Sequence, residues 1–182
     1  MKIKLKNPAP CSFTLVELLV VIALIALLAG LILGAAGGVR TQAARNQAKA
    51  EIAGLEAALA RYQTENGFFP GAVQANPANA MKPSAYVTGG RILFTNLLGR
   101  ASLSAASTVV KPFFDPKARM VMTNTSPNYF VDPWGNPYGY YWDEAGATSI
   151  YNKAAPDLWS TAGQNGTGKQ TNRSKWICNW PN

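Results

Sequence analysis

Apolar residues are spread unevenly along this chain, and the change in their rhythm is the main signal. From Phe13 to Gly37 (FTLVELLVVIALIALLAGLILGAAG) almost every position is apolar, and Glu17 is the single charge. At about 1.5 Å of rise per residue, such a run has the length of a bilayer-spanning helix. Beyond it the apolar positions thin out: Ala44, Ala48, Ile52, Leu55, Leu59 and Tyr62 recur at intervals of 4, 4, 3, 4 and 3, the mark of one helical face. Lys49, Glu51, Glu56 and Arg61 fall on other faces. There is no proline between Phe13 and Asn66, Gly67 is placed as a C-cap, and Pro70 forbids a restart. The pattern predicts one helix of about 80 Å, apolar all round in its first half and amphipathic in its second.

Past Gly67 the periodicity breaks up. Gly71 to Ser84 is rich in Ala, Asn and Pro and reads as a loop, while Arg91 to Gly99 (RILFTNLLG) predicts a short apolar helix. Pro112 and Pro116 turn Lys111 to Asn124 toward strands or turns. In Asp132 to Trp142, Gly135-Asn136-Pro137 makes a turn, and Tyr138, Tyr140 and Trp142 then alternate onto one strand face that packs on the long helix. The expected organisation is a basic leader at 1–12, a transmembrane half-helix at 13–37, an amphipathic half-helix at 38–67 and a globular head at 68–182.

Composition narrows the function. Of 182 residues, about 110 are left for a core outside the long helix, enough for one small domain. Basic residues outnumber acidic ones 17 to 9, a net charge of +8. Lys2, Lys4 and Lys6 precede the apolar run, so the positive-inside rule keeps that end on the cytoplasmic face and sends the C-terminal part outward. The other basic residues are scattered, which argues against nucleic acid as a partner. A secretory signal peptide is the plainer alternative, but the run is longer than a usual signal core. With no histidine, one cysteine (Cys178) after the apolar run, no phosphate-binding glycine loop and few, scattered carboxylates, the sequence predicts no enzyme and no required cofactor.

Glu17 carries the sharpest information. A carboxylate inside an apolar helix costs roughly 2.5–3.5 kcal/mol at a bilayer centre, so a cationic partner is expected. Ser12-Phe13-Thr14-Leu15-Val16-Glu17-Leu18 resembles the leader-cleavage and N-methylation site of type IV pilins and type II secretion pseudopilins. The resemblance implies cleavage between Ser12 and Phe13, methylation of the new Phe13 amine, and a role for Phe13 and Glu17 in assembly. Gly is usual in that family where Ser12 stands here. Tyr62, Asn66-Gly67 and Pro70 resemble the end of the pseudopilin stem helix, and Asp132-Pro133-Trp134-Gly135-Asn136-Pro137-Tyr138 resembles a signature of the major pseudopilin.

The resemblance implies a type IV pilin-like α+β fold, a long N-terminal helix packed on a small antiparallel sheet, in a single-pass inner-membrane protein with its head in the periplasm. It also implies a structural subunit of a type II secretion pseudopilus that polymerises through its helix to support protein export. The alternatives are a type IV pilus pilin or, less favoured, a monomeric membrane-anchored binding domain. Implied partners are further copies of the chain, a prepilin peptidase and N-methyltransferase, an inner-membrane platform protein with its assembly ATPase, and minor pseudopilins. Many family members bind calcium in the closing loop. Here Gln164-Asn165-Gly166 stands where Asp-Gly is usual, no acidic residue follows Asp157, and Lys169, Arg173 and Lys175 lie close by. Asp157, the Leu158 carbonyl, Ser160 and Asn165 remain as weak calcium ligands only.

Overall fold

A proline-free, alanine-rich stretch folds as helix α1, Leu15–Asn66. It stops where the sequence places the stop: Gly67 adopts φ 84°, a left-handed conformation that only glycine enters without strain, and its N–H donates to the Gln63 carbonyl at 2.7 Å. The computed structural model describes residues 13–71, 76–79, 82–143, 145, 148–164 and 171–181; side chains at 32–37 lie outside that description. Two compact units are present, Met1–Thr41 and Gln42–Asn182.

In the first unit the large apolar side chains from Phe13 to Leu31 are between 46% and 78% exposed. The expectation of a transmembrane half-helix is overturned here, and with it the pilin-like fold that requires one and the single-pass inner-membrane placement with a periplasmic head. Among the described residues no helix is long and apolar enough to cross a membrane. The observed architecture is α+β with two small open sheets.

The second unit is built around the amphipathic part of α1. Ala48, Ile52, Leu55, Ala58, Leu59 and Tyr62 are buried against helix α2, Val87–Leu98, through Leu93, Phe94, Leu97 and Leu98. Burying each leucine contributes about 1.5–3 kcal/mol. α2 begins four residues before the apolar run predicts. A 3-10 turn at Pro83–Tyr86 leads into it, and the Gly89-Gly90 pair, unfavourable for a helix, has a packing reason. A Cβ on Gly89 would lie 2.8 Å from the Tyr140 carbonyl oxygen, so the missing side chain lets helix and strand backbones meet.

Strands β1 (Val121–Met122) and β2 (Tyr129–Phe130) form one antiparallel pair. Strands β3 (Gly139–Tyr141), β4 (Asp157–Ser160) and β5 (Ile177–Cys178) form a second antiparallel sheet in that order. Both faces of this sheet are covered. Tyr138, Tyr140, Trp142 and Leu158 join the core that contains the α1 residues, whereas Tyr141 and Trp159 pack with Tyr86, Trp176 and Trp180. Side chains alternate between the faces of a strand, so each aromatic has only one layer available to it. Hydroxyls finish the packing: Tyr138 donates to Glu51 at 2.7 Å, Tyr140 to the Pro70 carbonyl at 2.6 Å and Tyr62 to Asn96 at 3.1 Å.

Candidate functional site

Glu17 finds a partner within its own chain. Its Oε2 accepts the Thr14 N–H at 2.9 Å and the Thr14 hydroxyl at 2.7 Å, and Thr14 Oγ1 accepts the Glu17 N–H at 3.2 Å. This is a capping box, in which Thr and Glu three residues apart satisfy each other's orphan N–H groups at a helix start. The T-x-x-E spacing of Thr14 and Glu17 is the sequence signal for it. Among the described residues Oε1 accepts no hydrogen bond, so the cap uses half of the carboxylate. Phe13 beside it is 76% exposed. Ser12, the residue on the other side of the expected cut, lies outside the described residues.

The calcium ligands suggested by resemblance are put to other uses. Asp157 is fully buried, and its two oxygens accept four hydrogen bonds: Oδ1 from the Asn152 N–H (2.9 Å) and the Ser149 hydroxyl (3.0 Å), Oδ2 from the N–H groups of Ile150 (3.0 Å) and Tyr151 (2.9 Å). Three successive N–H groups form a nest whose positive concavity suits an anion, and Asp157 fills it. The Leu158 carbonyl accepts from the Asn179 N–H at 3.1 Å. Ser160 donates to Asp132 at 2.6 Å and accepts from the Ala162 N–H at 3.0 Å. Asn165 lies outside the described residues. Calcium needs several oxygens with open lone pairs converging on one point, whereas here the buried carboxylate faces donors on all sides, so the described residues do not fit the ion. Among the described residues no three His, Cys, Asp or Glu side chains are grouped to hold a metal.

A buried carboxylate that the sequence reading passed over is Asp132, 3% exposed in the turn before β3. Oδ1 accepts the N–H groups of Trp134 (3.0 Å) and Asn136 (2.9 Å), and Oδ2 accepts the Ser160 hydroxyl. Asp132 and Glu51 both line a cavity of about 270 Å³, and Arg119 lines it too. Burial raises the Asp132 pKa; the bonds from Ser160, Asn136 and Trp134 oppose the rise, and the Glu51 charge adds to it. Burial, with the Glu51 carboxylate bonded to it, holds the Tyr138 phenol far above its ordinary range, so it remains a donor.

The sign of the pH effect follows from that shift. The folded protein holds the Asp132 proton more tightly than the unfolded chain does, so the stability this group contributes is fully present below the unfolded carboxyl pKa of about 3.9 and is lost as pH rises through the folded value. Asp132→Asn keeps an acceptor for the two N–H groups and an amide to donate to Ser160, but cannot ionise. Between about pH 4 and about pH 7 the parent's melting temperature is therefore expected to fall relative to that of the variant. Parallel melting curves at each pH measure this, and a pH-independent difference refutes it.

Comparison with known proteins gives one partial match. The chain is 36% identical over 73 residues to type II secretion system core protein G of Pectobacterium carotovorum subsp. carotovorum, a match covering 40% of this chain and 47% of that protein. The chain thus spans about half the length of this curated relative. No protein-family model matches the chain, and no solved structure matches it. The match suggests a distant relation to a secretion-system pseudopilin.

Proposed function

We propose that this protein is a structural subunit of a type II secretion pseudopilus, polymerising through its N-terminal helix to support protein export. The observation that carries the reading is the run of large apolar side chains from Phe13 to Leu31, each at least 46% exposed on a helix with no covering layer among the described residues. Water contact with that much apolar surface is unfavourable by about 25 cal/mol per Å², and identical helices bundled side by side remove it. The partial similarity to a core protein G supports the same reading.

Glu17 and Phe13 set the register in this proposal. Cleavage between Ser12 and Phe13 by a prepilin peptidase creates an amine on Phe13, which the same enzyme methylates. Glu17 keeps Oε2 on the Thr14 cap and offers Oε1 to the Phe13 amine of a neighbouring copy. Any axial slip would leave both charges unpaired in an apolar bundle, which is strongly disfavoured. A platform protein and its ATPase would drive the addition of subunits, and minor pseudopilins would belong to the same filament. The protein does no chemistry of its own in this role.

The test is made on the full chain isolated from its own cells after brief chemical crosslinking. A chain beginning at methylated Phe13, and a ladder of crosslinked copies, are expected by N-terminal sequencing with mass spectrometry and by gel electrophoresis. An unprocessed chain that gives no ladder overturns the proposal.

A further inference from the structure

The closing segment of the second unit contains an arrangement that the misfit with calcium does not by itself explain. Gln164 ends the turn that follows β4 and bonds to Asn172. Its Nδ-equivalent amide nitrogen, Nε2, donates to two backbone carbonyls, Thr161 and Asn172, each at 3.0 Å, while Oε1 accepts the Asn172 N–H at 2.7 Å. Its own N–H donates to the Thr161 carbonyl at 3.2 Å, closing the turn through Ala162 and Gly163. One carboxamide thus ties Thr161 to Asn172. Converging carbonyl oxygens are what a bound cation would otherwise gather, and an NH₂ group with two donors satisfies them without a charge.

Asn179 closes a second set of polar groups. Asn179 Oδ1 accepts from the Leu158 N–H and from Asn152 Nδ2, both at 2.9 Å, and its Nδ2 donates to Glu56 at 2.8 Å and to the Pro156 carbonyl at 2.9 Å. Tyr151, whose N–H binds Asp157, stacks on Trp180 at 4.7 Å between ring centres. Both halves of the segment are therefore held by internal groups, an anion at Asp157 and an uncharged amide at Gln164.

We infer that Gln164 ties the end of β4 to the segment at Asn172 in the place of a divalent cation, so that the head folds and holds its C-terminal strand independently of calcium. The inference concerns the stability of the second unit and does not depend on whether the chain polymerises. A ligand that binds only the folded state raises the melting temperature with its concentration, which makes calcium the probe.

The experiment compares thermal unfolding of the full chain in excess chelator and in millimolar calcium, and repeats both for Gln164→Ala. The parent is expected to melt at the same temperature in both solutions. The variant is expected to melt several degrees lower, with no recovery in calcium, because the Asn172 N–H loses its partner and the carbonyls of Thr161 and Asn172 each lose one of two donors. A parent that loses several degrees in chelator overturns the inference, as does a variant that melts like the parent or is restored by calcium. If the variant does not fold, the parent's two curves still decide.

Discussion

Replacing Gly139 with alanine is expected to destabilise the second unit by at least about 3 kcal/mol, enough to unfold much of a protein with ordinary marginal stability. Gly139 pairs directly with Trp159 across β3 and β4. A Cβ at this position would lie 1.9 Å from Cε2, 2.3 Å from Cζ2 and 2.4 Å from Cδ2 of that indole. The ring cannot step aside. It is fully buried, stacked on Trp176 at 5.8 Å and met edge-on by Tyr86 at 5.0 Å. Either β3 moves away from β4 and breaks the ladder, or the indole leaves its cluster and the second core opens. Chemical denaturation followed by tryptophan fluorescence measures the loss. Trp159→Ala in the same chain removes the obstacle, so the two substitutions together are expected to cost less than the sum of their separate effects. An alanine variant as stable as the parent refutes the account.

Leu24→Arg is expected to abolish assembly and leave folding untouched. Leu24 is 56% exposed in the first unit, so the substitution removes no internal packing, and arginine is about as good a helix former as leucine. In a bundle of apolar helices the same guanidinium has no partner, and burying an unpaired charge costs far more than one interface contributes per side chain. The expected result is a crosslinked ladder in the parent and a single band for the variant, with matching melting curves for both. A variant that still forms the ladder would mean the exposed apolar side chains are not the contact, and the proposed function would fail with it. A variant with a shifted melting curve would show that Leu24 has a structural role that its exposure contradicts.

The amphipathic face of α1 could be read directly, because a period near 3.6 requires only the order of the residues. Ile52, Leu55, Leu59 and Tyr62 are buried as the spacing predicts; Ala58 joins them and Ala44 is only partly covered. The aromatic alternation of Tyr138, Tyr140 and Trp142 was equally legible, since side chains on a strand alternate with a period of two. The start of α2 was not. Gly89-Gly90 looks like a helix breaker until the carbonyls of β3 are seen against it. The site residues divide in the same way. Glu17 is conspicuous from its isolation among apolar neighbours, while its bond to Thr14 is legible only as a three-residue spacing. Asp132 looked like part of a turn, and Gln164 like the loss of a ligand.

By itself the sequence determined the local quantities: where α1 runs and stops, which face of it is apolar, where the turns fall, and the absence of histidine and of clustered cysteines. These follow from intrinsic propensity, periodicity and composition, which act between residues a few positions apart. Only the tertiary structure decided which polar groups meet. Asp157 lies opposite the N–H groups of residues 150–152, Ser160 opposite Asp132, Glu51 opposite Tyr138, and the Gln164 amide between the carbonyls of Thr161 and Asn172. A buried donor or acceptor must find a partner wherever the packed layers place one, and apolar packing, blind to charge, fixes those positions first. For that reason the ligand set expected for a cation became a set of hydrogen bonds.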